Sequence, residues 1–86
     1  AVDREAFEAH FNLGNIYHDL GKYEAAEEAY RSALAINDAY PEAHLYLAVA
    51  LEKAGRPDDA RPHWGRYRRL APDGEWAELA REFGEE

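Results

Sequence analysis

With 86 residues, 47 % of them hydrophobic and 33 % charged, the chain has material for one small domain with one core. A formal net charge of -8 works against broad nucleic-acid affinity, which needs clustered cations to displace counterions. There is no cysteine, so disulfide frameworks and thiolate chemistry are excluded, and no apolar run approaches the roughly 20 residues needed to span a membrane.

Apolar residues at intervals of three and four predict a first helix over about 3–20. Inside it, the stretch HFNLGNIY (10–17) places Asn12, Gly14 and Asn15, all poor helix formers, at helical spacing. Gly21 supplies a left-handed stop. A second helix follows over about 23–37, with Ala25, Ala26, Ala29 and Ala33 along one face, and Asn37-Asp38 ends it. Pro41 opens a third helix, 41–54, from the first turn, where its missing N–H costs nothing, and Gly55 stops it. Pro57 opens a fourth, 57–70. Pro62 lies inside that helix and removes the bond to the Asp58 carbonyl, at roughly 3 kcal/mol in an isolated helix. The helix is expected to persist, with a kink near residues 58–62 or an irregular first turn. Ala71-Pro72-Asp73-Gly74 is a break, and a short fifth helix, 75–84, carries Trp76, Leu79, Ala80 and Phe83 on one side. Threonine is absent and no segment alternates with period two, so no strand is predicted.

The chain repeats with a period of 34 and no gap. His10 falls on His44, Leu13 on Leu47, Gly14 on Ala48, Gly21 on Gly55, Ala26 on Ala60, Tyr30 on Trp64 and Ile36 on Leu70. Matches are core types and turn glycines, whereas mismatches are mostly polar. Each unit therefore reads as a helical hairpin, and the class is all-α: antiparallel hairpins stacked in order.

These residues resemble the tetratricopeptide-repeat family, whose pattern is W-x2-L-G-x2-Y, then A-x3-F, then P. The first unit has His10-x2-Leu13-Gly14-x2-Tyr17 and Ala26-x3-Tyr30, with Asp38 at the proline place. The second has His44-x2-Leu47-Ala48-x2-Leu51, Ala60-x3-Trp64 and Pro72. Histidine stands where tryptophan is usual, and Tyr67 where a small residue is usual; Tyr67 is expected to fill space against the closing helix. The resemblance implies a short right-handed α-solenoid forming a single domain over 1–86. Its parts are repeat 1 over about 7–40, repeat 2 over about 41–74, and a capping helix over 75–84. Three units are the usual minimum for such a stack. Two units and a cap, beginning without methionine, read as a fragment of a longer chain.

Enzymatic function is not expected. Ser32 is the single serine and there is no threonine or cysteine, so the ordinary nucleophile sets are missing. The carboxylates lie at polar helix positions without a convergent motif. His10, His18, His44 and His63 form no HxxxH or HExxH pattern, so neither metal nor cofactor is expected, and His10 and His44 read as wedged between paired helices. Charge is uneven: Arg56, Arg61, Arg66, Arg68 and Arg69 against Asp58 and Asp59 make residues 56–69 locally +3. A solvated face is the ordinary reading of such a run, and a site for acidic partners the sharper one.

By the resemblance, the first helix of each hairpin lines a concave surface. Leu13, Tyr17 and His10 are assigned to packing within the hairpin, and Gly14 to close approach of the partner helix. The remaining row offers Phe11, Asn12, Asn15, His18 and Asp19, then Leu45, Tyr46, Val49 and Lys53, then Trp76, as partner-binding residues. Amides both donate and accept, which suits a peptide backbone. In peptide-gripping members of the family an asparagine matching Asn15 commonly contacts the ligand. The lysine and arginine places of the chaperone-tail clamp are held here by Phe11, Tyr46, Trp76 and Ala80, so recognition of a C-terminal carboxylate is not expected. The function expected is non-enzymatic protein–protein interaction with a peptide or helix. The alternative is a structural module that forms a homo-oligomer or docks on another domain of its parent. No nucleic-acid or membrane partner is expected, and a cytoplasmic location is.

Overall fold

The computed structural model describes residues 3–84; Ala1, Val2, Glu85 and Glu86, the ends of the expected domain, lie outside the described residues. Five helices follow one another: α1 (Arg4–Asp19), α2 (Tyr23–Ile36), α3 (Pro41–Lys53), α4 (Pro57–Leu70) and α5 (Ala77–Gly84). There is no strand among the described residues.

Local chemistry places the boundaries. Asp3 caps α1, its carboxylate accepting from the Ala6 N–H at 3.1 Å. Gly21 (φ +76°) and Gly55 (φ +79°) take the left-handed conformation that ends α1 and α3. Pro41 and Pro57 sit in the first turns of α3 and α4. Asn37 ends α2 and accepts the Ala39 N–H at 3.1 Å, turning the chain toward α3. Pro62 stays exposed inside an α4 that persists to Leu70. Helix α5 begins two residues later than the spacing predicts. The Trp76 N–H donates to the Tyr67 hydroxyl at 3.2 Å, and residues 74–76 form a turn.

Packing is sequential: α1 on α2, α2 on α3, α3 on α4, α4 on α5, with a small contact between α1 and α3. Tyr30, Leu47, Leu51 and Trp64 are the largest fully buried side chains. Burying each such side chain is worth roughly 1.5–3 kcal/mol in area removed from water. Gly14 is explained by close approach: a Cβ there would lie 2.6 Å from the Tyr30 ring. Tyr67, 2 % exposed, meets the turn that leads into α5 through its hydroxyl, and Phe83 stacks on Trp64 at 5.4 Å between centroids.

One packing expectation is corrected. Leu13 is 41 % exposed and does not close the first hairpin, although its counterpart Leu47 is 0 % exposed. The same holds along the stripe: Ala9 and Ile16 are exposed, while Ala43 and Ala50 are buried. Helix α3 has α2 lying against it from the preceding hairpin, and α1 has no such neighbour among the described residues.

Between the hairpins, Glu27 of α2 accepts from Arg31 at 3.1 Å and from both terminal nitrogens of Arg56 at 2.6 and 3.3 Å. Burial pushes the Glu27 carboxyl upward, but the bonds from Arg56 and Arg31 outweigh it and hold the group below its ordinary range. His44 lies at the same junction. Its Nε2 is 2.8 Å from the Asp38 carbonyl, which can only accept, so Nε2 carries the proton. Neutral His44 therefore presents a bare Nδ1 to His63 Nδ1, 3.1 Å away, and His63 donates.

Candidate functional site: the α1–α3 face

The first helices of the two hairpins meet at Phe11 and Tyr46, whose ring centroids are 5.7 Å apart. Phe11 comes from α1 because position 11 lies one turn beyond buried Phe7, with which it stacks at 5.8 Å. Tyr46 stands on α3 between buried Leu45 and Leu47 and remains 36 % exposed. Tyr30 rises from α2 beneath both rings, 6.0 Å from Phe11 and 6.4 Å from Tyr46.

One turn along α1, Asn15 is half-buried, and its Oδ1 accepts the Tyr30 hydroxyl at 2.5 Å. Burial holds that hydroxyl firmly protonated, so it is a donor at neutral pH. With Oδ1 occupied, the amide nitrogen of Asn15 keeps two N–H groups, in the orientation assigned from this network. Asn12 is exposed beside it. Further along, His18 packs edge-on against Tyr23 at 5.5 Å. Burial first, then the charge of Lys53, lower its pKa, while Asp19 opposes them. His18 Nε2 is buried without a hydrogen-bond partner among the described residues. Lys53 and Asp19 are exposed.

The predicted row is thus partly assembled. Phe11, Asn15 and Tyr46 join through Tyr30, and His18 and Lys53 are electrostatically coupled across α1 and α3. Leu45 does not line this face: it is 2 % exposed and belongs to the core, because α3 is flanked by α2 and α4 and touched by α1. Val49 is half-buried against the same core. Trp76 is 43 % exposed in the turn before α5 and makes no ring contact with the Phe11–Tyr46 cluster.

The spacing missed an extension of this face. Tyr40, in the turn before α3, packs edge-on against Phe7 at 4.8 Å and Phe11 at 5.4 Å. Together with Arg4, Glu8 and Asn37 these rings line a cleft of about 520 Å³. Nothing in the helical periodicity marks Tyr40, because it belongs to no helix. Among the described residues, no group of three or more histidine or acidic side chains could hold a metal ion. No helix among them is long and apolar enough to cross a membrane.

Two stacked hairpins with a closing helix define a helical-repeat protein. Family models agree: one described as TPR repeat matches residues 14–55, and one described as tetratricopeptide repeat matches residues 42–74. The chain belongs to the tetratricopeptide-repeat family, whose modules are typically non-catalytic and generally bind proteins. No curated protein matches it as a relative.

Proposed function

We propose that the α1–α3 face binds a peptide or helix from a partner protein, with Asn15 as the central polar contact. The observation that supports this reading is the orientation of Asn15. Tyr30 occupies its acceptor and leaves two N–H donors beside half-buried Phe11 and exposed Tyr46. A ligand backbone carbonyl could receive one of those donors while an apolar side chain enters the cleft of Phe7, Phe11 and Tyr40. Asn12 and Lys53 flank the path, and His18 with Asp19 closes its far end.

The discriminating substitution is Asn15→Asp. A carboxylate still accepts from Tyr30 but brings no N–H to a ligand. Peptides selected from a random library on the wild-type protein are expected to bind Asn15→Asp and Tyr46→Ala at least about tenfold more weakly, a difference of about 1.4 kcal/mol. The melting temperature of Asn15→Asp should stay near wild type. Unchanged binding with lowered stability would reduce these residues to packing.

A second reading has its own observation. Leu13, Ile16 and Leu20, 41, 55 and 64 % exposed, form an apolar stripe on the outer side of α1. Such a stripe suits self-association or docking on another domain of the parent protein. Sedimentation over a concentration series tests the first form, and a strict monomer throughout would count against it.

A further inference from the structure

A second cleft lies on a different part of the molecule, between the end of α4 and α5. It measures about 440 Å³ and is lined by Gly65, Arg68, Arg69, Pro72, Ala77, Glu78 and Arg81. Three arginines thus border one opening, with one acidic residue among the described lining residues, in a chain whose net charge is -8. The other arginines of this region are taken up by the fold. Arg56 bonds Glu27 and Asp59, Arg61 bonds Asp58, and Arg66 lies 3.5 Å from Asp38. Arg68 and Arg81 hold contacts of their own, whereas Arg69 makes no ion pair among the described residues. The carbonyl end of α4 favours cations in its last turn, which accounts for Arg68 and Arg69 being there. Arg81 stands likewise in the last turn of α5, and the packing of α5 on α4 brings it to the same opening.

Gly65 is the second observation. A glycine inside a helix is disfavoured relative to alanine. At Gly14 packing explains it, but at Gly65 an added Cβ would meet nothing nearer than the Arg69 guanidinium, 3.9 Å away. The fold leaves room for a methyl group there, and Gly65 is one of the residues that line the cleft. With Pro72 and Ala77, Gly65 supplies the apolar part of the lining beside the arginines.

We propose that this α4–α5 cleft is a binding site for a carboxylate-bearing peptide segment. Its acidic side chain pairs with Arg69, and an aliphatic side chain lies against Gly65, Pro72 and Ala77. Guanidinium forks match carboxylates in bidentate geometry. The strongly negative remainder of the chain opposes an extended polyanion such as a nucleic acid, but tolerates a short segment seated in one positive cleft.

The test is fluorescence anisotropy with a short labelled peptide alternating glutamate and leucine, and its glutamine counterpart as control. The glutamate peptide is expected to bind, to weaken as salt rises, and to exceed the glutamine peptide. Arg69→Gln should weaken binding at least about fivefold, whereas Lys22→Gln, an equal charge change at a distant exposed site, should leave it unchanged. Gly65→Ala should weaken binding severalfold while the melting temperature holds or rises. Equal binding of the two peptides, equal binding to Arg69→Gln, or a Gly65→Ala protein that binds normally would each overturn the proposal. Tighter binding of a double-stranded oligonucleotide than of the glutamate peptide would overturn the assignment to a peptide.

Discussion

Tyr30 donates its hydroxyl to Asn15 at 2.5 Å while its ring lies 2.6 Å from where a Cβ at position 14 would stand. One aromatic side chain therefore explains two poor helix formers in α1. The glycine makes room for the ring, and the asparagine receives its hydroxyl. Alanine at position 14 favours the helix by roughly 1 kcal/mol but collides with a ring that is 1 % exposed and cannot swing away. Gly14→Ala is expected to destabilise the protein by about 1–3 kcal/mol, read by thermal or urea unfolding. Tyr30→Phe, which deletes only the hydroxyl, should cost about 1 kcal/mol.

Equivalent leucines should respond unequally. Leu47→Ala removes a fully buried side chain and should cost about 2–5 kcal/mol. Leu13→Gln, at the matching place one repeat earlier, changes a side chain that is 41 % exposed. Its unfolding free energy should stay within roughly 0.5 kcal/mol of wild type. Equal losses at the two sites would mean that Leu13 is covered in solution, and sedimentation would then show by what.

That pair also marks how far the sequence could be read. Helix ends were legible because Gly21, Gly55, Pro41 and Pro57 act locally, each through its own backbone. Gly14 was legible because the repeat places it opposite the second helix. Leu13 was misjudged because burial belongs to the neighbour, and a matching residue in the next unit says nothing about which helices stand beside each. Leu45 failed for the same reason from the other side: α3 is enclosed on both flanks, so a position half-buried on α1 at Phe11 is buried on α3. Of the candidate face, Phe11, Asn15 and Tyr46 follow from the family resemblance, but Tyr40 enters from a turn that carries no period. The start of α5 was set by the Tyr67 hydroxyl nine residues away, which no local rule anticipates.

Acid should loosen the junction between the hairpins before it reaches the carboxylates. Burial, then the neighbouring His44 and Arg31, lower the pKa of His63 to about 4, against the pull of Glu27. Burial likewise lowers His44, with Arg66 adding to it, while the Asp38 carbonyl and carboxylate oppose. The unfolded chain takes up these protons near pH 6.5 and the folded one only well below, so stability is full above about pH 6.5 and falls as pH drops toward 4. After discounting for the partial exposure of His63, the loss is on the order of 2 kcal/mol. Melting temperatures measured across that window should fall for the wild type and fall less for His63→Gln, in which His44 still titrates. The contribution of Glu27, whose pKa is lowered, is lost only at still lower pH, below the ordinary range of a glutamate.

Pro62 should be dispensable. It is exposed in α4 and denies the Asp58 carbonyl its helical partner. Pro62→Ala restores that bond and is expected to raise stability by about 1–2 kcal/mol, part of the helical gain being offset by a freer unfolded chain. A destabilised variant would assign the proline a packing role.

Docking of a partner on the α1–α3 face, as proposed, can be observed residue by residue. Its most direct test is NMR shift mapping with a library-selected peptide on the isotope-labelled protein. The largest changes are expected at the Asn15 side-chain amide, with Phe7, Phe11, Tyr40 and Tyr46 around it. Changes confined to Leu13, Ile16 and Leu20 on the outer side of α1, with the Asn15 amide unmoved, would contradict it.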